Sequence, residues 1–217
     1  MLKAIDLLLP PACAGCGERG SILCDACIGT FRPPGSPRDR FVAPDPAIVI
    51  GGQLAVAVAA FGYAGRLRRV MHRLKYTGAS RVAEPLASCT APALHRLMSI
   101  SGPAVLVPVP VSEARRRRRG YNQAALIVRM LASRAQMAVA EPLARSRETQ
   151  AQHRLNRAAR ARNLRGAFTV DARRPVPEEV ILVDDILTTG ATLDACAEVL
   201  LAAGARTVYG FAIAREV

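Results

Sequence analysis

The stretch VILVDDILTTGATL, residues 180–193, restricts what this chain can fold into more than any other segment. Its first four residues form an unbroken apolar run, which reads as a buried strand that delivers Asp184 and Asp185 at its end. A loop of Thr188, Thr189, Gly190, Ala191 and Thr192 follows. Leu193, Cys196, Ala197, Leu200 and Leu201 then recur at helical spacing until Gly204. The same succession is written elsewhere. Residues 54–63 read as a strand, and Leu67, Val70, Met71 and Leu74 as one face of a helix. A second helix is expected to begin near Pro85. Residues 104–110 are an apolar run ending in prolines, residues 120–134 a helix, 138–143 the next strand, and 167–170 and 207–214 further strands. Strands alternating with helices predict an α/β fold with a mainly parallel sheet flanked by helices. Such sheets bind ligands beyond the carboxyl ends of their strands, where residues 184–192 fall.

Those residues suit a phosphorylated sugar. Backbone N–H groups opened by Gly190 at a helix start, with the threonine hydroxyls, make a phosphate cradle aided by the helix dipole. Two carboxylates beside it can accept hydrogen bonds from vicinal hydroxyls or orient a hydrated Mg2+. An apolar strand ending in Asp-Asp also occurs in P-loop nucleotide hydrolases. That fold needs G-x-x-x-x-G-K-[ST], and neither Lys3 nor Lys75 follows a glycine.

The N-terminal part differs in kind. Cys13, Cys16, Cys24 and Cys27 form C-x2-C-x7-C-x2-C, with Gly15, Gly17 and Gly20 supplying tight turns. Two knuckles this close bring four thiolates around one ion, so structural Zn2+ is expected ahead of two disulfides or a redox dithiol. Cys89 and Cys196 stand among apolar residues and are expected in the core. Five prolines lie between residues 33 and 46. The expected organisation is a four-cysteine zinc module over residues 1–32, a proline-rich linker over 33–47 and the α/β domain over 48–217. The opening MLKAIDLLLPP is too short and too interrupted for a secretory signal, and no membrane span is expected, so a cytoplasmic location is the expectation.

With 51% hydrophobic and 22% charged residues the chain can bury a core and is not disordered. Its charge is lopsided: 30 basic against 17 acidic residues give +13, and every base except Lys3 and Lys75 is arginine. Residues 112–165 hold 14 arginines against Glu113, Glu141 and Glu148. Arginine in such density favours phosphate-bearing partners. Single-stranded DNA is one, although no Trp and 4% aromatic residues supply a poor stacking platform. Arg154, Arg157 and Arg160 recur every three residues with few apolar anchors, as in a mobile lid. His72, His95 and His153 lack partners at ligand spacing. Tyr121 and Asn122 suit either ligand contact or helix capping, and Lys75 either a phosphate or the end of a helix dipole.

Residues 180–193 resemble the signature of type I phosphoribosyltransferases, which bind 5-phosphoribosyl 1-pyrophosphate (PRPP). With the cysteine knuckles, LKYTG at 74–78, VPVPVSEARRRRRGYNQA at 107–124 and RETQAQHRLNRAARARNLRGAF at 147–168, the chain resembles the competence protein F (ComF-like) family along nearly its whole length. The resemblance implies a phosphoribosyltransferase-like fold. It places ribose hydroxyls and Mg2+, directly or through water, at Asp184 and Asp185, and the 5-phosphate at residues 188–192. It puts the pyrophosphate near Arg119, Gly120, Tyr121 and Asn122, under a flexible loop at 145–165 that includes Arg154 and Arg157. It also implies a part in DNA uptake, with single-stranded DNA or DNA-uptake proteins as partners.

Overall fold

A computed structural model describes residues 10–34, 47–48, 52–76, 80–146, 164 and 166–216. Arg154 and Arg157 lie outside the described residues, as does most of the expected linker. In chain order the elements are α1 (Asp25–Ile28), β1 (Ala47–Ile48), β2 (Ala57–Gly62), α2 (Gly65–Tyr76) and α3 (Ser80–Ser101). Next come β3 (Val105–Pro108), α4 (Glu113–Arg119), α5 (Gln123–Ala135), β4 (Leu143–Arg145) and β5 (Phe168–Val170). The chain closes with β6 (Glu179–Leu187), α6 (Ala191–Ala202) and β7 (Thr207–Arg215).

Five strands form one sheet in the order β1-β2-β7-β6-β3. All neighbours are parallel except β1, which runs antiparallel to β2. The expected mainly parallel sheet flanked by helices is therefore present. Its strands read as continuous apolar runs because both faces are covered. Ile181 and Val183 of β6 point into a cluster with Leu67, Leu86, Leu94, Ile127 and Phe211, which α2, α3 and α5 close. Val180 and Leu182 point the other way, to Leu193, Cys196, Leu200 and Phe168 of α6 and β5.

The knuckles are not detached from this core. Cys13, Ala14, Leu23, Cys27 and Phe31 belong to the same apolar cluster as α2 and α3. Phe31 meets Phe61 of β2 edge to face, centroids 5.3 Å apart, and Gly62 N–H donates to the Arg32 carbonyl at 2.8 Å.

Four elements depart from the sequence reading. The second helix starts at Ser80, before Pro85, and runs 22 residues through Pro85 and Pro92. Burial of Val82, Ala83, Leu86, Ala87, Leu94 and Leu97 along one face outweighs the ladder hydrogen bond each proline removes. The helix expected over 120–134 is α5, which starts three residues later with Asn122 as its cap, and an unexpected short helix precedes it: the arginine run forms α4, which Gly120 ends in the left-handed conformation. The strand expected over 138–143 shrinks to a bridge of Val139 with Leu106, and β4 begins only after Pro142, which has no N–H for a ladder. Finally, β6 continues past the carboxylates to Leu187, so Asp184 and Asp185 sit within the strand.

Candidate functional site

The strands end at different levels. β3 stops at Pro108, paired with Val183, whereas β6 and β7 continue to Leu187 and Arg215. Asp184 and Asp185 therefore occupy the flank of β6 that opens where β3 ends. From β3 the chain turns through α4 to α5, which packs with the α2 and α3 cluster, and from β6 it turns to α6 on the opposite face. Neighbouring parallel strands whose connections diverge to opposite faces leave a crevice between them, the usual ligand position of an open α/β sheet.

Successive strand residues point to opposite faces, so the two carboxylates have different company. Asp185, 8% exposed, faces α2 and α5: Lys75 Nζ lies 2.9 Å from its Oδ2, and Gln123 Nε2 donates to the same oxygen at 3.4 Å. Asp184 accepts the Asp185 N–H at 2.8 Å. Burial, then the neighbouring charge of Asp185, raises its carboxyl to about 7 despite the opposing pull of Lys75. The thiol of Cys196, beneath it on α6, is raised well above its ordinary value by burial and secondarily by Asp184. A carboxylate pair so desolvated suits a cation.

Gly190 heads α6 with φ +81, a conformation that strains any residue with a side chain, and the Ala191 N–H turns toward Thr189 Oγ1 at 3.5 Å. Thr188 is exposed and Thr189, Ala191 and Thr192 are partly so, which leaves a helix N-terminus with hydroxyls open beside the carboxylates.

The residues expected near a pyrophosphate divide. Asn122 is a cap: its Oδ1 accepts from Ala124 N–H and its Nδ2 donates to the Val109 carbonyl, both at 3.0 Å. Tyr121 donates its hydroxyl to the Leu74 carbonyl at 2.5 Å, which ties the turn between α4 and α5 to α2. Arg119 and Gly120 end α4 beside them. Arg116 and Arg117 reach back to Glu113 and line a surface groove of about 430 Å3 with Tyr121, Arg129 and Glu141. Sequence reasoning passed over Gln123. The available signal was a polar residue on the buried first turn of α5, among Ala124, Ala125, Ile127 and Val128.

The second site is the cysteine cluster. The four Sγ atoms all lie within 4.8 Å of one another, with Cys13–Cys24 at 3.5 Å, Cys13–Cys27 at 3.6 Å and Cys16–Cys24 at 3.8 Å. Those separations are far from the ~2.05 Å of a disulfide. They match the roughly 3.8 Å edge of a tetrahedron built on ~2.3 Å zinc–sulfur bonds, so the cluster fits one Zn2+. Burial raises the Cys13 thiol, but backbone N–H groups of Cys24, Cys16 and Gly15 outweigh it and bring it down to about 6. Cys27 is pushed up to about 12 by burial and by the other three sulfurs, against the Arg66 guanidinium 3.4 Å from its Sγ. A Cβ at Gly15 would stand 2.6 Å from Cys27 Sγ, so only glycine clears the fourth thiol. Cys196 is buried as expected, and Cys89 is half-buried with its thiol raised to about 12 by burial.

No protein-family model matches the chain. Among curated proteins it is 32% identical over 208 residues to the DNA utilization protein YhgH of Salmonella typhimurium, covering 94% of this chain and 88% of that protein. It is 34% identical over 158 residues to the protein of the same name in Escherichia coli K12, covering 70% and 69%. The competence protein F of Haemophilus influenzae shares 33% over 116 residues, 52% of this chain and 51% of that one. Among the described residues no helix is long and apolar enough to cross a membrane.

Freshly purified protein is expected to carry one Zn2+ per chain by elemental analysis, and Gly15→Ala to weaken its retention against a chelator at least about tenfold. The raised Asp184 fixes a pH dependence. A carboxyl whose folded value exceeds its unfolded one costs nothing below the unfolded value, and its cost grows as pH rises through the window to about 7. Asp184→Asn should therefore stabilise the ligand-free protein at pH 8 by about 1–2 kcal/mol, a Tm gain of roughly 3–6 °C, and the gain should fade toward pH 4. Thermal unfolding at the two pH values measures it.

Proposed function

Since the chain belongs to the competence protein F (ComF-like) family, we propose that it binds PRPP with Mg2+ at the β6–α6 junction and serves the handling of DNA taken up by the cell. The observation that carries this reading is the coincidence of three features in one crevice. They are the Asp184–Asp185 pair on β6, the glycine-headed N-terminus of α6 with its threonines, and the end of β3 leading into the basic α4. A 5-phosphate fits the backbone N–H groups of residues 188–192, and vicinal ribose hydroxyls fit carboxylate acceptors. The loop leading to Arg119 and Gly120 suits the pyrophosphate, with Tyr121 and Asn122 holding that loop through Leu74 and Val109 rather than offering their side chains.

The reaction class such an arrangement fits is phosphoribosyl transfer. The C1–O bond breaks, pyrophosphate departs with the bonding electrons, and an acceptor that gives up a proton bonds to C1. Mg2+ arriving with PRPP would supply charge neutralisation on the leaving group. The contribution of the chain itself is positioning and fixed positive charge, which lower the cost of the charge that develops. Calorimetry with PRPP and Mg2+ tests the site: the double variant Asp184→Asn, Asp185→Asn should lose at least about 100-fold in affinity, or about 2.7 kcal/mol. Binding undiminished in that variant would remove the assignment.

The groove of Arg116, Arg117, Arg129 and Tyr121 favours a second reading, direct contact with single-stranded DNA. Its affinity should fall steeply with salt, and replacing the three arginines by alanine should reduce the slope of log K against log salt by about 2. A slope unchanged in that triple variant would assign the groove no DNA.

A further inference from the structure

We propose that Lys75 is the resident counter-ion of Asp185 and stands where a divalent cation would otherwise bind. It yields that carboxylate only to a cation arriving with a diphosphate ester, whose phosphates receive the displaced ammonium. The inference rests on the PRPP reading and deepens it by naming what the site admits: the metal–diphosphate complex, and not the bare ion.

Two helices converge on one oxygen of β6. Lys75, the penultimate residue of α2, reaches Asp185 Oδ2 at 2.9 Å, and Gln123 from the first turn of α5 donates to the same atom at 3.4 Å. The side chains of Lys75 and Asp185 are 21% and 11% exposed, enclosed enough to strengthen the pair yet open enough for its members to part. A bare divalent cation at Asp185 would lie beside an ammonium held by the same carboxylate, and like charges at that range repel. A diphosphate brings enough negative charge to reverse the sign.

Gln123 supplies a separate observation. It is 5% exposed, and with its amide N–H turned to Asp185 its Oε1 is buried without a hydrogen-bond partner. The opposite amide orientation would set two acceptors against each other. A buried acceptor left open beside a carboxylate costs stability unless a donor arrives, and a ligand hydroxyl or cation-bound water is such a donor. Lysine is also the right cation to be displaced. Its ammonium is a point charge on a flexible stem, whereas a guanidinium would hold the carboxylate at two atoms.

The chain has only two lysines, so full-length protein labelled with 15N-lysine gives two side-chain ammonium signals, assigned by Lys3→Arg. The Lys75 signal should stay in place as Mg2+ alone is added and shift when Mg2+ is added with pyrophosphate or PRPP. In Lys75→Met, Mn2+ alone should bind at least about tenfold more tightly by electron paramagnetic resonance, and magnesium PRPP at least about tenfold more weakly. A lysine signal unmoved by saturating magnesium PRPP, or a variant no better at binding bare Mn2+, overturns the proposal. Wild-type protein that binds neither PRPP nor pyrophosphate overturns the PRPP reading, while the Mn2+ comparison still decides whether Lys75 excludes the bare ion. Should Lys75→Met not fold, Lys75→Gln, which keeps a hydrogen bond to Asp185, takes its place.

Discussion

Consecutive residues of a strand cannot share a face, and two adjacent carboxylates on a strand covered on both sides are therefore handed to different neighbours. Asp184 is left on the side of α6, where burial and the charge of Asp185 hold it partly protonated near neutral pH. Asp185 is left on the side of α2 and α5, where Lys75 and Gln123 meet it. The cost of keeping such a pair in the sheet is offset by the rest of β6. Val180, Ile181, Leu182 and Val183 are all fully buried, and each contributes about 1.5–3 kcal/mol of transfer free energy. The apolar half of the strand thus holds the polar half in a conformation that a solvent-exposed loop would relax.

The position of Lys75 depends in turn on α2. That helix buries Leu67, Val70, Met71 and Leu74, and 12 residues give it a length of about 18 Å. At its start Arg66 approaches Cys27 Sγ, in its last turn Arg73 donates to the Cys13 carbonyl at 3.2 Å, and Lys75 follows at Asp185. One rigid element therefore joins the cysteine cluster to the carboxylates. An ion held by the four sulfurs would fix the backbone from Cys13 to Cys27, against which α2 rests. Outer contacts of this kind, from guanidinium to sulfur and carbonyl, would orient the thiolates around such an ion.

Much of this was legible in the chain because periodicity and burial coincide. Leu67, Val70, Met71 and Leu74 announced α2, the apolar run before Asp184 announced β6, and the spacing of Cys13, Cys16, Cys24 and Cys27 announced the cluster that the structure assembles. Where propensity and packing conflict, the sequence misled. Pro85 suggested a helix start, yet tertiary burial carries α3 through it. The unbroken run from Arg115 to Arg119 carries no pattern that sorts its members, and the structure sorts them: Arg116 and Arg117 reach back to Glu113, in a short helix whose C-terminal end favours basic residues. Gln123 escaped notice because its significance lies in a contact with a residue 62 positions away, which no local pattern records.

The distribution of basic residues then takes a different meaning from the net charge alone. Arginines occupy surfaces where a permanent, multidentate cation is useful: α4, the groove beside α5 and the contacts to the cysteine module. Only Lys75 among the described residues is a lysine, and it stands on the carboxylate of Asp185. An arginine there would complete a two-atom grip on Asp185 and close the site, while an apolar residue would leave a buried charge uncompensated. A lysine satisfies the folded state through a point charge on a flexible stem, and so leaves the carboxylate free to change partners at little structural cost.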